Sequence, residues 1–213
     1  TGSNDTAYAI DLTKYACEIG CDAMLVVTPY YNKATQKGLI KMFNAIADAS
    51  TKPIILYNVP SRTGVNIEPK TYAVLAEHPM IQGIKEANGQ IDKIVETMAL
   101  CGDKLDLYSG NDDQIVPLMS VGGKGVISVL SNIMPFETHE MCRLCLEGDF
   151  KTAESLTFQK KNIFIDWSKS AEEIEKEVAI NCGKLGRLPK EQHYCKRSLP
   201  LSPLQGQSMG RRG

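Results

Sequence analysis

Ile81-Gln82-Gly83-Ile84-Lys85-Glu86-Ala87 is a short apolar run with a cation near its end. A run of this length and composition is typical of a buried strand. A lysine at the end of such a strand loses hydration, which disfavours the ammonium form and lowers the pKa of the amine. The neutral amine is a nucleophile that forms Schiff bases with carbonyl substrates. The alternative is a lysine whose head lies in water or pairs with Glu86, and for this stretch alone that alternative is the commoner case.

Short apolar strands alternate along the chain with amphipathic helical patterns. Loops are marked by Pro29, by Pro60-Ser61-Arg62-Thr63-Gly64 and by Gly122-Gly123. The predicted strands are Ala23–Thr28, Ile54–Asn58, Ile81–Lys85, Leu105–Ser109 and Gly125–Leu130. The predicted helices are Thr6–Ile19, Thr35–Ala49, Glu68–Glu77, Ile91–Cys101, Asp113–Val121, Pro135–Glu147 and one from Phe150 onward.

A repeated strand–helix unit with strands this apolar predicts an α/β fold, with a parallel sheet covered on both faces. The doubly wound sheet and the (β/α)8 TIM barrel both satisfy that pattern. No Gly-x-Gly-x-x-Gly follows a strand, which counts against a nucleotide-binding doubly wound sheet. Polar residues at the strand ends favour the barrel, because the carboxyl ends of barrel strands converge on one catalytic face. These residues are Tyr30 and Tyr31, Tyr57 and Asn58, Lys85 and Glu86, and Ser109 to Asp112.

The composition is that of an ordinary globular domain. The 213 residues are 43% hydrophobic and 23% charged with a formal net charge of −1, which gives no reason to expect nucleic acid or an anionic membrane as partner. No apolar run approaches the roughly 20 residues that span a bilayer, and the start of the chain does not resemble a signal peptide. Seven cysteines, an odd number, indicate core residues in a reducing cytoplasm rather than disulfides. Cys142-x-x-Cys145 lacks a second Cys or His pair with metal spacing, so no metal site is expected.

Five motifs follow one another in a family-like order and spacing. They are Val27-Thr28-Pro29-Tyr30-Tyr31-Asn32, Leu56-Tyr57-Asn58-Val59-Pro60-Ser61-Arg62-Thr63-Gly64, Gly83-Ile84-Lys85-Glu86-Ala87, Ser109-Gly110-Asn111-Asp112 and Gly125-Val126-Ile127-Ser128-Val129. In this register the chain resembles the dihydrodipicolinate synthase family, which belongs to the N-acetylneuraminate lyase-like class I pyruvate aldolases. The resemblance covers roughly residues 1–158.

The resemblance implies a mechanism that agrees with the chemistry of the opening stretch. Lys85 would condense with the keto group of pyruvate, and the resulting enamine would attack the aldehyde carbon of aspartate semialdehyde. Tyr57 would move protons to and from the imine centre, which requires a relay partner near neutral pH. In the family, a threonine and a tyrosine of the adjacent subunit complete that relay, and Tyr31 matches the tyrosine. No cofactor is implied, because the lysine–pyruvate imine itself accepts the electrons.

Three further residues match family positions that bind substrate. Arg62 would hold the carboxylate of the second substrate through a bidentate pair, while Gly110 and the backbone of Ile127 would line the pyruvate pocket. Arg62 favours the synthase over the sialic acid lyases of the same fold, which lack an arginine in this loop. Considered singly, each residue has an ordinary structural explanation: a packed Tyr57, a solvated Arg62 and a turn at Gly110.

A regulatory site is a weaker implication of the same resemblance. Asn4 and Tyr30 match positions that in some family members bind lysine, the end product of the pathway, at a subunit interface. Many bacterial members carry an acidic residue where this chain has Tyr8.

Two departures from the family pattern bear on the expected fold. Counting back from Lys85 on the sixth barrel strand, only strands four to eight are expected, so about three βα units of a roughly 250-residue barrel, with their paired threonines, would be absent. After Phe158 the pattern diverges, which divides the chain into a partial barrel (1–158), a divergent helical segment (159–189) and a tail (190–213) expected to be disordered.

The leading function is therefore a lyase that condenses pyruvate with aspartate semialdehyde in lysine and diaminopimelate biosynthesis. The alternatives are a sister pyruvate aldolase such as N-acetylneuraminate lyase, or an inactive fragment that serves as an assembly subunit. Enzymes of this group are usually homotetramers, so a homo-oligomer is expected.

Overall fold

The computed structural model describes residues 1–160, whose centre is one parallel sheet. Its five strands lie in the order in which they occur along the chain, and neighbouring strands all pair in parallel. Such a singly wound order is that of a (β/α)8 barrel, whereas a doubly wound sheet reverses its strand order at a switch point. The strands are β1 (Met24–Val27), β2 (Ile54–Asn58), β3 (Ile81–Glu86), β4 (Asp106–Ser109) and β5 (Gly125–Val126).

Helices connect the strands at nearly every predicted position. Three of them begin with a side-chain cap: Asp5 accepts a hydrogen bond from the Tyr8 N–H, Thr35 accepts one from the Gly38 N–H, and Asp149 accepts one from the Thr152 N–H. The helices are α1 (Thr6–Glu18), α2 (Gln36–Asp48), α3 (Pro60–Thr63), α4 (Pro69–Leu75), α5 (Ile91–Cys101), α6 (Ile115–Ser120), α7 (Pro135–Leu146) and α8 (Phe150–Lys160).

Two local predictions are wrong. The segment predicted as a loop after β2 forms the short helix α3, because Pro60 occupies its first turn and Gly64 ends it with a φ of 73°. The predicted strand Gly125–Leu130 ends at Val126 and is followed by a 3-10 helix at Leu130–Asn132. The Leu130 N–H donates to the Asp112 carboxylate rather than to a neighbouring strand, so the ladder stops early.

The two faces of the sheet differ in burial. Leu56, Ile84 and Leu107 face the helices and are fully buried. The residues that follow them, Tyr57, Lys85 and Tyr108, lie on the opposite face and are half-buried, as strand alternation requires. The prediction that both faces are covered therefore holds for only one face within residues 1–160.

The buried side chains form two clusters. The larger one packs β1 to β4 against the helices and includes Phe43 and Leu75, and the smaller one joins α6, α7 and α8 through Met141 and Ala153. No helix among the described residues is both long and apolar enough to cross a membrane. The predicted helical segment 159–189, apart from the last two residues of α8, and the predicted tail 190–213 lie outside the described residues.

A polar cluster is buried where β2 and β3 end. The Glu86 carboxylate, 2% exposed, accepts hydrogen bonds from the Asn58 amide at 2.9 and 3.2 Å and from the Tyr72 hydroxyl at 2.9 Å. It also accepts one from the Asn88 N–H at 2.9 Å. The Asn58 Nδ2 also donates a hydrogen bond to the Asn66 Oδ1 at 2.8 Å. These bonds tie β2, β3 and α4 together at one point.

Burial dominates the ionisation of this cluster. It raises the pKa of Glu86 to about 7, although the hydrogen bonds from Asn58 and Tyr72 pull in the opposite direction. The pKa of Tyr72 lies well above its ordinary value, because the hydroxyl is buried and faces the Glu86 carboxylate. Glu86 is therefore the group of this pair that changes charge near neutral pH.

Replacing Glu86 with glutamine should remove a pH dependence of stability. The folded-state pKa of about 7 exceeds the ordinary value of 4.5, so the folded chain binds more protons between these values and stability falls as pH rises through them. The contribution is fully present below the ordinary pKa and lost above the folded one. As the pH rises from about 5 to about 8, the free energy of unfolding of E86Q in urea should increase by roughly 2 to 3 kcal/mol relative to that of the unsubstituted chain.

Glu77→Gln is the matched control, because Glu77 is an exposed carboxylate paired with Lys104. Its pH profile of unfolding should follow that of the unsubstituted chain. Parallel profiles for E86Q and the unsubstituted chain would show that Glu86 does not ionise within this range.

Candidate active site

Lys85 lies in the middle of a row of side chains on the half-buried face of the sheet. The strand register aligns it with Tyr57 on β2 and with Tyr108 on β4. Its Nζ lies 4.2 Å from the centroid of the Tyr57 ring, a distance at which the ring face attracts a cation. Glu86 points to the other face, so the alternative of a Lys85–Glu86 pair is wrong.

The surroundings of Lys85 favour its neutral amine. Its pKa is lowered from the ordinary value by loss of hydration, and the negative charge of Asp112 opposes part of that change. Asp112 itself is held by hydrogen bonds from the Ser128 hydroxyl and, at 3.0 Å, from the Leu130 N–H. The lysine thus keeps a fixed counter-charge for its protonated and iminium forms.

Sequence reasoning placed Asp112 at the end of a strand but gave it no role. A possible signal was its position one strand beyond the lysine, where the carboxyl ends of parallel strands meet. Tyr108 was also missed, although alternation along Leu105–Ser109 puts it on the same face as Lys85.

Gly110 leaves the space that the Lys85 side chain occupies. A Cβ at this position would lie 2.8 Å from the Ala87 Cβ, 3.1 Å from the Glu86 carbonyl oxygen and 3.2 Å from the Lys85 Cε. The Gly110 N–H donates to that carbonyl at 2.7 Å. The structure thus brings Gly110 against the lysine side chain, while its place in a pyruvate pocket stays a prediction.

Ile127 continues the line of β5 beside the end of β4. Its N–H donates to the Ser109 carbonyl at 2.9 Å. Its backbone therefore lies beside the last residue of β4, which immediately precedes Gly110 in the sequence. Its side chain is half-buried. The backbone of Ile127 and Gly110 therefore belong to the same rim of the sheet.

Arg62, on α3, and Tyr31, in the loop after β1, lie on adjoining segments at this rim. The Tyr31 N–H donates to the Thr63 carbonyl at 3.3 Å, which joins the loop after β1 to α3. Arg62 is exposed on α3, and within residues 1–160 no carboxylate forms an ion pair with it. Tyr31 has a φ of 72° and is 89% exposed, so its side chain does not pack onto the Lys85 site of its own chain.

The predicted effector residues, Asn4 and Tyr30, lie at the start of neighbouring loops. The Asn4 carbonyl accepts a hydrogen bond from the Asn32 side chain at 2.8 Å, and Tyr30 is 43% exposed. The hydrogen bond joins the segment that holds Asn4 to the loop that holds Tyr30. A lysine site at these residues stays a prediction.

The arrangement suits carbonyl chemistry. A partly dehydrated amine, a phenol ring in contact with it and a fixed carboxylate are the groups required for forming an imine and moving protons around it. No group of three or more His, Cys, Asp or Glu side chains with the arrangement of a metal site occurs in the described part of the chain.

The chain is similar in sequence to a known protein family and to individual proteins. A model of the dihydrodipicolinate synthetase family matches residues 1–205, which extends beyond the point at which we expected the resemblance to weaken. The 4-hydroxy-tetrahydrodipicolinate synthase of Clostridium novyi (strain NT) is 57% identical over 159 residues, which are 75% of this chain and 53% of that protein. The chain thus spans about half the length of this relative.

Solved structures of the same kind match the fold. The chloride-inhibited dihydrodipicolinate synthase of Acinetobacter baumannii in complex with pyruvate superposes with a TM-score of 0.78 at 35% identity, over 88% of this chain and 74% of that one. The enzyme of Cyanidioschyzon merolae with lysine bound gives a TM-score of 0.78 at 30% identity, over 88% and 73% of the two chains. Since the family model matches nearly all of the sequence and these structures share its fold, the chain belongs to the dihydrodipicolinate synthetase family.

Proposed function

We propose that Lys85 is the Schiff-base lysine of a 4-hydroxy-tetrahydrodipicolinate synthase, which condenses pyruvate with L-aspartate 4-semialdehyde. The observation that carries this proposal is the half-buried Lys85 amine, which has a lowered pKa and lies 4.2 Å from the Tyr57 ring centroid. The name of the Clostridium novyi relative and the pyruvate complex of the Acinetobacter baumannii enzyme support the choice of substrates.

The proposed reaction begins when the neutral Lys85 Nζ adds to the keto carbon of pyruvate. The carbinolamine loses its hydroxyl as water and becomes an iminium ion, whose positive charge the Asp112 carboxylate stabilises. Loss of a methyl proton gives the enamine. The former methyl carbon then forms a carbon–carbon bond with the aldehyde carbon of the second substrate, as the aldehyde C=O π bond breaks, its oxygen takes a proton and the iminium forms again. Tyr57, which contacts the amine through its ring, is the proposed carrier of the protons.

Substrate carboxylates have two proposed binding groups. Arg62 would hold the carboxylate of aspartate semialdehyde, since its guanidinium is exposed on α3 and forms no ion pair within residues 1–160. The pyruvate end would lie along the rim that holds Gly110 and the Ile127 backbone, because Gly110 lies against the Lys85 side chain: a Cβ there would be 3.2 Å from the Lys85 Cε.

A homo-oligomer is part of the proposal. Tyr31 is 89% exposed and holds a backbone conformation with φ 72°, which bulky residues rarely adopt. Strain of this kind in an exposed aromatic residue persists where function requires it. Tyr31 would enter the proton relay of a second copy of the chain rather than that of its own.

Pyruvate followed by sodium borohydride should leave a reduced pyruvyl group on Lys85 of the folded chain. Borohydride reduces the imine to a stable secondary amine, which peptide mass spectrometry locates. Lys85→Arg keeps the positive charge but removes the nucleophile, and should lose the adduct. An adduct on other lysines at equal yield, or none on Lys85 of a folded chain, would sink the proposal and favour an inactive assembly subunit.

Asp112→Asn should move the pH profile of this trapping to lower pH. The carboxylate raises the pKa of Lys85, so its removal lowers that pKa and increases the neutral fraction near pH 7. The midpoint of the trapping profile should therefore lie at lower pH, while the plateau rate at high pH should fall because the iminium ion loses its counter-charge. The neighbouring Asp113 is exposed, and Asp113→Asn should leave the profile unchanged; equal profiles for both variants would contradict the assigned role of Asp112.

Complementation between two inactive variants tests the role of Tyr31 across an interface. Tyr31→Phe and Lys85→Arg chains, each assayed alone, should exchange the methyl protons of pyruvate with deuterated water far more slowly than the unsubstituted chain. A co-refolded mixture should regain exchange, because a mixed pair contains one site with both residues. A mixture that is no faster than the sum of its parts would mean that Tyr31 does not act on the partner's lysine.

A further inference from the structure

Two residues immediately follow the reacting pair in sequence and face the other way. Asn58 comes after Tyr57, and Glu86 comes after Lys85. The register pairs Tyr57 with Lys85 and Asn58 with Glu86. Because side chains alternate between the faces of a strand, the Asn58–Glu86 hydrogen bond lies directly behind the Tyr57–Lys85 contact.

Glu86 contacts β2, α4, the loop after β3 and the loop after β4. Its carboxylate binds Asn58 on β2, Tyr72 on α4 and the Asn88 N–H in the loop after β3. Its backbone carbonyl accepts the Gly110 N–H at 2.7 Å, which fixes the loop after β4. A shift of Glu86 would therefore move Lys85 relative to both Tyr57 and Gly110.

The groups around the carboxylate suit its ionised form. Asn58, Tyr72 and the Asn88 N–H all act as donors to it, and an ionised carboxylate accepts bonds on both oxygens. No lysine, arginine or histidine in the described part of the chain forms an ion pair with it. Burial without a cation is costly, so the ionised carboxylate does not contribute to stability at neutral pH.

We propose that Glu86 is a positioning residue, which locks the ends of β2 and β3 from behind and so sets where the Lys85 amine lies against Tyr57 and Gly110. The inference rests on the proposed Schiff-base function of Lys85. Glu86 touches neither the substrate nor the reacting atoms; it acts through the backbone of the two strands.

The titratable groups that face Glu86 do not obscure its own ionisation. Tyr72 lies on α4, and Cys101 on α5 interacts with it electrostatically. Burial raises the pKa of both groups. Lys85 lies on the opposite face of β3, and Glu68 lies one hydrogen bond further away through Asn66. Near neutral pH, the charge that changes within the cluster is that of Glu86, whose pKa is about 7.

The first test measures Lys85 without any substrate. In chains with carbon-13-labelled lysine, the Cε signal of Lys85, assigned by its loss in Lys85→Arg, reports the titration of the amine. In Glu86→Gln the pKa of Lys85 should rise toward its ordinary value, because the displaced side chain leaves the dehydrated place over Tyr57. An unchanged pKa would overturn the proposal, and a lower one would show that Glu86 acts through its charge rather than through position.

The second test measures the rate of borohydride-trapped imine formation at saturating pyruvate. Glu86→Gln should slow it by about tenfold or more, since displacement of a reacting group by about 1 Å costs up to a hundredfold. Its stability above neutral pH should not fall by more than that of Ile46→Val, a core variant in α2. Ile46→Val should lose stability but trap pyruvate at the unsubstituted rate. If the role of Glu86 were purely structural, Glu86→Gln would also trap pyruvate at the unsubstituted rate.

Tyr72→Phe decides the question if Glu86→Gln does not fold. It removes one donor to the carboxylate and keeps the ring. It should therefore raise the pKa of Lys85 and slow trapping, each by less than Glu86→Gln does. Unchanged values in Tyr72→Phe would then overturn the proposal. If the unsubstituted chain forms no adduct, the proposed function fails, while the Lys85 titration still judges Glu86; if it forms one and Glu86→Gln traps at the same rate, only the positioning role fails.

Discussion

The constraint on which this structure depends is the cost of holding a lysine amine partly out of water. Lost hydration disfavours the ammonium, and the Asp112 charge compensates in part. The Tyr57 ring, 4.2 Å from Nζ, attracts the cation without restoring its hydration. The amine is thus both reactive when neutral and tolerated when charged. A carbonyl-condensing lysine requires both properties, because the cycle passes through a neutral amine and a cationic imine.

Strand alternation divides the work between the two faces of the sheet. Tyr57, Lys85 and Tyr108 share the half-buried face, while Asn58 and Glu86 lie behind them among the helices. The chemistry and its support are therefore successive residues of the same strands. The buried carboxylate costs stability at neutral pH, since its pKa is raised to about 7, and groups with a perturbed pKa are concentrated near functional sites.

Much of the fold followed from the pattern of the sequence, because apolar strands separated by amphipathic helices leave few arrangements. The strand Ile54–Asn58 was predicted to the residue, and the singly wound order confirmed the barrel over the doubly wound sheet. One failure came where a side chain competes with the backbone ladder: the Asp112 carboxylate accepts the Leu130 N–H and β5 ends early. Glu86 was considered as a partner for Lys85, but neighbours in a strand face opposite ways. Its true partners, Asn58 and Tyr72, are 28 and 14 residues distant, and no local pattern reveals them.

A crystal structure of the chain after treatment with pyruvate and sodium borohydride tests the central claim most directly. The predicted result is continuous density from Lys85 Nζ to the former keto carbon, with the three-carbon unit beside the Tyr57 ring and its carboxylate toward Gly110 and the Ile127 backbone. The Asn58–Glu86 hydrogen bonds should be intact behind it. Density on another lysine, or a modified Lys85 turned away from Tyr57 and Gly110, would contradict the claim that this row of the sheet is the reacting site.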